Sequence, residues 1–156
     1  RKRVRRLRRI VRTGLGLALI GALLTCASIL VFSEEIAALY TADPAVRQLA
    51  VVLLGYAALF QLPDAMQVNA GGILRGCKDT RVPLLLMLCA YWGIGLPLGY
   101  GLGLERLGGM EPGPQGFWMG LICALAVAAL LLGGRVRVML RRLERLAGQV
   151  VTAGRP

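Results

Sequence analysis

The 156-residue chain is 56% hydrophobic, with a mean hydropathy of +0.65 and a formal charge of +11. So little polar surface excludes an ordinary soluble domain of this size and points to a bilayer as solvent. The absence of histidine excludes His-based metal sites and a Ser-His-Asp triad.

Residues 1–13 form a basic segment, with eight of the 19 Lys and Arg between Arg1 and Arg12. Val4, Leu7 and Val11 recur there at helical spacing, which predicts a basic amphipathic helix lying along a lipid surface. An arginine start without a signal-peptide arrangement suggests a piece of a longer chain. Residues 14–33 make the first span, since a hydrocarbon core takes roughly 20 helical residues. The second span, 44–75, opens at Asp43 and Pro44, which suit an N-cap and first helical position. Its outer half is apolar, but Gln61, Pro63, Asp64, Gln67 and Asn69 follow, and a break is predicted near Pro63. Gly76 is placed to end this helix in a left-handed conformation.

Asp79 or Thr80 can cap the third span, 81–104, and Pro83 suits its first turn. Gly95, Gly99 and Gly103 recur at four-residue spacing, as do Gly93, Pro97 and Gly101. Such spacing either lets helices approach closely or makes a helix that bends at Pro97. Residues 105–115 are rich in Gly and Pro and predict an irregular loop. The fourth span, 116–134, begins with Phe117 and Trp118, which suit an interfacial aromatic belt. Residues 135–156 form a second basic amphipathic segment, with Val136, Leu140, Leu143, Ala147 and Val150 on its apolar face. Cys26, Cys77, Cys89 and Cys123 include no CxxC pair and read as small reduced hydrophobes.

Charge placement gives the orientation. Segments 1–12, 75–81 and 135–156 hold 17 Lys or Arg, against two, Arg47 and Arg106, on the opposite side. The positive-inside rule then puts both termini in the cytoplasm and makes lipid, not nucleic acid, the partner of the basic flanks. The expected fold is all-α, a polytopic membrane protein with four transmembrane helices.

Asp64 is the informative residue. It lies ten residues from Leu74, or roughly 15 Å into the membrane at 1.5 Å per residue. A carboxylate there must face protein or water. Pro63 frees the Leu59 carbonyl, Gln67 shares the face of Asp64, Phe60 stands one turn away, and Gln61 and Asn69 add amides. This set could bind Na⁺ or H⁺, as broken helices in transporters do; alternatively, these groups only bond within the bundle and specify packing. Tyr91 and Trp92 could line a cavity or simply pack. No phosphate loop, nucleophile–base pair or metal cluster is visible, so catalysis has no support, and no metal is expected beyond a candidate Na⁺ at Asp64.

The stretches LYTADPAV (Leu39 to Val46), FQLPDAMQVNAGGILRGCKDTRVP (Phe60 to Pro83), YWGIGLPLGYGLG (Tyr91 to Gly103) and GFWMGLICAL (from Gly116) resemble the multidrug and toxic compound extrusion family, in its NorM-type branch. That family has twelve spans in two bundles, and this chain resembles spans nine to twelve. The resemblance implies an antiporter of the bacterial inner membrane that expels drugs or organic cations while Na⁺ or H⁺ enters, with no other cofactor. It carries the tenth-span cation-site aspartate over to Asp64, and it makes the preceding helices of the same transporter necessary partners. Arg75, Gly76, Asp79 and Thr80 match the family's loop and read as structural. The alternatives are a lipid-linked precursor flippase of the same superfamily, disfavoured by spans without interior Lys or Arg, and a non-transporting four-span interaction protein.

Overall fold

The computed structural model describes residues 2–104 and 113–153, and among these every regular element is helical. Helix α1 runs over Lys2–Val31, α2 over Ser33–Tyr40, α3 over Pro44–Gly76 and α4 over Arg81–Ala90. A π-helical turn over Tyr91–Gly95 leads into α5, Leu96–Leu104, and α6 spans Pro114–Ala153. Four helical stretches are long and apolar enough to cross a membrane: Arg6–Val31, Pro44–Gly76, Arg81–Leu104 and Pro114–Leu146. The fold is thus all-α and polytopic.

The differences from the sequence reading have physical reasons. The basic ends are not separate helices along a lipid surface but continuations of α1 and α6. Their apolar faces have found each other: Val11, Val136 and Leu140 are buried together with Ala70, Leu74 and Leu132, and Leu7 and Leu15 pack beside them. A protein face competes with lipid here, and these side chains meet one. (The side chains of Val4, Ala147 and Val150 lie outside the described residues, as does most of the 105–115 loop.) The short helix α2 also fills the connection between the first two spans; Glu34 and Glu35 in its first turn suit the positive end of the helix dipole. Finally, α3 is continuous through Pro63 rather than broken there. One missing N–H removes one rung of the ladder, and the turns on either side hold.

The caps follow local chemistry. Asp43 Oδ1 accepts from the Ala45 and Val46 amides at 2.8 and 3.4 Å, with Pro44 at the first helical position. At the other end of α3 the Lys78 amide bonds the Arg75 carbonyl and the Asp79 amide bonds the Leu74 carbonyl, both at 2.9 Å. This is a Schellman pattern, and Lys78, not Gly76, takes the left-handed position, with φ of 59°. Thr80 stands at the N-cap of α4 without a side-chain cap bond.

The tightest packing joins α5 to α6. A Cβ on Gly116 would strike the backbone of Leu102 and Gly103, and one on Gly120 would strike the backbone of Gly99. A Cβ on Gly95 would lie 2.8 Å from that of Ala124. Phe117 covers Gly103, where an added Cβ would meet its ring at 2.5 Å. The Gly95–Gly99–Gly103 stripe therefore serves close approach, whereas Gly93 has nothing within 4 Å of an added Cβ. Pro97 is accommodated differently. The π turn just before it, closed by the Leu96 amide on the Tyr91 carbonyl, relieves the clash a proline ring makes with the carbonyl four residues back.

Two stability predictions follow from these contacts. Gly120→Val should destabilise the protein in detergent by about 1–3 kcal/mol through overpacking, while Gly72→Ala, which has open space, leaves the melting temperature unchanged or higher. Thermal unfolding followed by circular dichroism measures both. Lys78→Gly should raise stability by about 1 kcal/mol by relieving the left-handed residue; a lower melting temperature would refute it.

Candidate functional site

The polar residues of α3 divide by the way their hydrogen bonds are met. Asn69 Nδ2 donates to the Ala65 carbonyl of its own helix at 2.8 Å, so its amide is spent locally. Gln67 is buried and bridges helices: Tyr91 Oη donates to Gln67 Oε1 at 3.0 Å, and Gln67 Nε2 donates to Met87 Sδ at 3.2 Å. One amide thus ties α3 to α4 and to the π turn. Met87 could not be anticipated, because a thioether is a weak acceptor that reads as filler.

Phe60 lies with its ring edge-on to Trp118, centroids 6.0 Å apart at 85°. That contact is one of the favoured aromatic geometries and joins α3 to α6. Trp118 therefore packs within the bundle, while Phe117, lying over Gly103, keeps an exposed ring. Trp92, on the π turn, is exposed. An apolar groove of about 500 Å³ runs beside it, lined by Tyr91, Gly95, Gly99, Tyr100, Phe117 and Leu121.

Asp64 is half-buried on α3, one turn from Phe60 and Gln67. It has no hydrogen bond or ion pair among the described residues, and neither has Gln61. Pro63 beside it has no N–H to give the Leu59 carbonyl. The sequence-predicted set is therefore brought together in part. Gln67 and Tyr91 touch each other, Phe60 turns to Trp118, Asn69 closes on its own helix, and Asp64 and Gln61 are left with unspent oxygens. No cluster of three His, Cys, Asp or Glu occurs among the described residues.

Below this region Arg135 Nε of α6 donates to Asp79 Oδ2 at 2.7 Å, with the Asp79 side chain only 10% exposed. Asp79 holds the α3–α4 turn against α6 rather than capping α4.

These features define a multi-pass α-helical membrane protein, packed through glycine contacts and carrying a carboxylate, Asp64, within its second candidate span. The MatE family profile matches residues 1–101, and the chain belongs to that family. It is 46% identical over 132 residues to the multidrug resistance protein PmpM of Pseudomonas aeruginosa, covering 85% of this chain and 28% of that protein. It is 50% identical over 138 residues to a probable multidrug resistance protein NorM of Xanthomonas campestris, covering 88% and 29%. A probable NorM of Xylella fastidiosa is 44% identical over 137 residues, covering 88% and 28%. The chain thus spans less than a third of the length of these curated relatives.

The Gln67–Tyr91 bond is open to a double-mutant cycle. Tyr91→Phe and Gln67→Leu should each destabilise the protein, and together by less than the sum, with a coupling of about 0.6 kcal/mol typical of hydrogen bonds between membrane helices. Strict additivity in thermal unfolding would show that the bond contributes nothing.

Proposed function

We propose that this chain is the C-terminal portion of a bacterial inner-membrane multidrug efflux antiporter, its last four of twelve spans, which exchanges drugs or organic cations for Na⁺ or H⁺. The observation that carries the reading is Asp64, a mid-span carboxylate without a protein partner among the described residues. An uncompensated charge at that depth is costly, about 2.5–3.5 kcal/mol on insertion scales, and a cation or proton offsets the cost. The names of the relatives, multidrug resistance proteins, support the substrate class. The basic flanks support an orientation with both termini of this segment in the cytoplasm.

In this reading the coupling ion binds the Asp64 carboxylate, and the Gln61 amide and the Leu59 carbonyl left free by Pro63 offer further oxygens. Filling and emptying the site changes the charge beside the weakest rung of α3, so the ion biases how far that helix bends at Pro63. Drug and ion compete because both require the same carboxylate to be exposed to the cavity. The preceding helices of the same transporter complete that cavity, as alternating access needs two facing bundles.

The test is drug export by the full transporter containing this chain. Asp64→Asn should cut ethidium efflux, driven by an imposed Na⁺ or pH gradient in proteoliposomes, at least tenfold at equal protein content. Undiminished gradient-driven export by the variant would overturn the proposal.

A further inference from the structure

The two basic helix ends meet in a way that the transport reading does not use. Arg8 and Arg12 stand one turn apart on α1, and Arg137 and Arg141 one turn apart on α6. All four line a single cleft of about 380 Å³. Its floor is apolar, made by Val11, Ala70, Val136 and Leu140, all buried. Glu144 pairs with Arg8 at 3.6 Å across the two helices. Arg12, Arg137 and Arg141 have no acidic or hydrogen-bonding partner among the described residues.

Like charges one turn apart on a helix repel, and here two such pairs face the same space. Ordinary solvation would be served better by side chains spread around each helix. An apolar trough edged by unpaired guanidiniums instead matches a molecule with a hydrocarbon part and an anionic head. Guanidinium forks suit phosphate oxygens in particular, because two parallel N–H donors reach two oxygens of one group. The arginines of the cleft also stand where the apolar stretches of α1 and α6 give way to charge, the pattern expected of residues at the phosphate layer of a bilayer.

We infer that the cleft between α1, α3 and α6 is a binding site for an anionic phospholipid, whose phosphate is held by Arg12, Arg137 and Arg141 and whose acyl chain lies on the Val11–Ala70–Val136–Leu140 floor. Arg8, already tied to Glu144, sets the rim of the site. The lipid neutralises the arginine pairs and fills the trough, so it staples the end of α1 to α6. This assignment is independent of Asp64 and of transport.

Native mass spectrometry of the intact protein in detergent, titrated with phosphatidylglycerol or with phosphatidylcholine of the same acyl chains, tests it. The expected result is at least tenfold tighter retention of phosphatidylglycerol, abolished in the variant Arg12→Gln/Arg137→Gln/Arg141→Gln. The single variant Val11→Asp, which polarises the floor but keeps every arginine, should weaken retention of the same lipid. Circular dichroism of each variant establishes that it is helical before binding is measured, and Arg137→Gln alone replaces the triple variant if that one does not fold. Equal retention of the two lipids, or retention unaffected by removal of the arginines, would overturn the proposal. Displacement of the lipid by an equal concentration of glycerol phosphate would also overturn it, since the site would then recognise free phosphate alone.

Discussion

The backbone contact between Gly120 of α6 and Gly99 of α5 is the constraint around which the other helices are placed. Lipid tails are as apolar as leucine, so burial of hydrocarbon gives these helices little reason to associate. What remains is dispersion between atoms that can come close, and closeness requires positions without a side chain. Gly95, Gly116 and Gly120 provide it along more than one turn. Once α5 and α6 are joined in this way, α6 supplies the surface on which α3 rests, through Phe60 on Trp118 and through the buried cluster of Ala70, Leu74, Leu132 and Val136.

Polar groups in the spans meet a companion constraint, since one left unpaired away from water is costly. Most do so inside their own helix. Thr25 and Ser28 return their hydroxyls to the Gly21 and Leu24 carbonyls at 3.0 and 2.8 Å, and Asn69 does likewise with its amide. Gln67 spends its amide between helices and so becomes a structural joint. Asp64, on the same helix, follows neither course among the described residues. The Arg135–Asp79 pair carries the same logic to the membrane edge, where a charged side chain is satisfied by another charge and the loop is fixed to α6.

Much of this was legible in the sequence because it rests on local rules. The number of spans follows from length and hydropathy, the start of α3 from Asp43 and Pro44, and the helix contact from glycines four residues apart. The same holds for Asp64, since a carboxylate in an apolar run is conspicuous at once. What escaped depends on which neighbours are available. The apolar stripes at the two basic ends fit a lipid surface equally well on paper, and only the approach of α1, α3 and α6 shows that Val11, Val136 and Leu140 bury one another. Asp79 carries the chemistry of a cap, and nothing local to it foretells an arginine 56 residues away. The left-handed Lys78 defeats the glycine rule, since the Schellman bonds count back from where α3 runs out and not from the nearest glycine.

The π turn at Tyr91–Gly95 has a geometric effect that reaches along the whole third span. A turn closed from residue i to i+5 holds one residue more than an α turn, so the helix beyond it is rotated by roughly 100° from where a continuous α-helix would carry it. Without the inserted residue's worth of turn, a continuous α-helix would present Ile94, Leu98 and Leu102 where Gly95, Gly99 and Gly103 now meet α6. The single inserted residue is a phase shifter: it allows one helix to show its thioether and phenol to α3 and its glycines to α6. Deleting one residue of the turn would let it close as an ordinary α turn with the glycines still on α6, whereas forcing α geometry with every residue kept would swing Gly99 and Gly103 away from that helix.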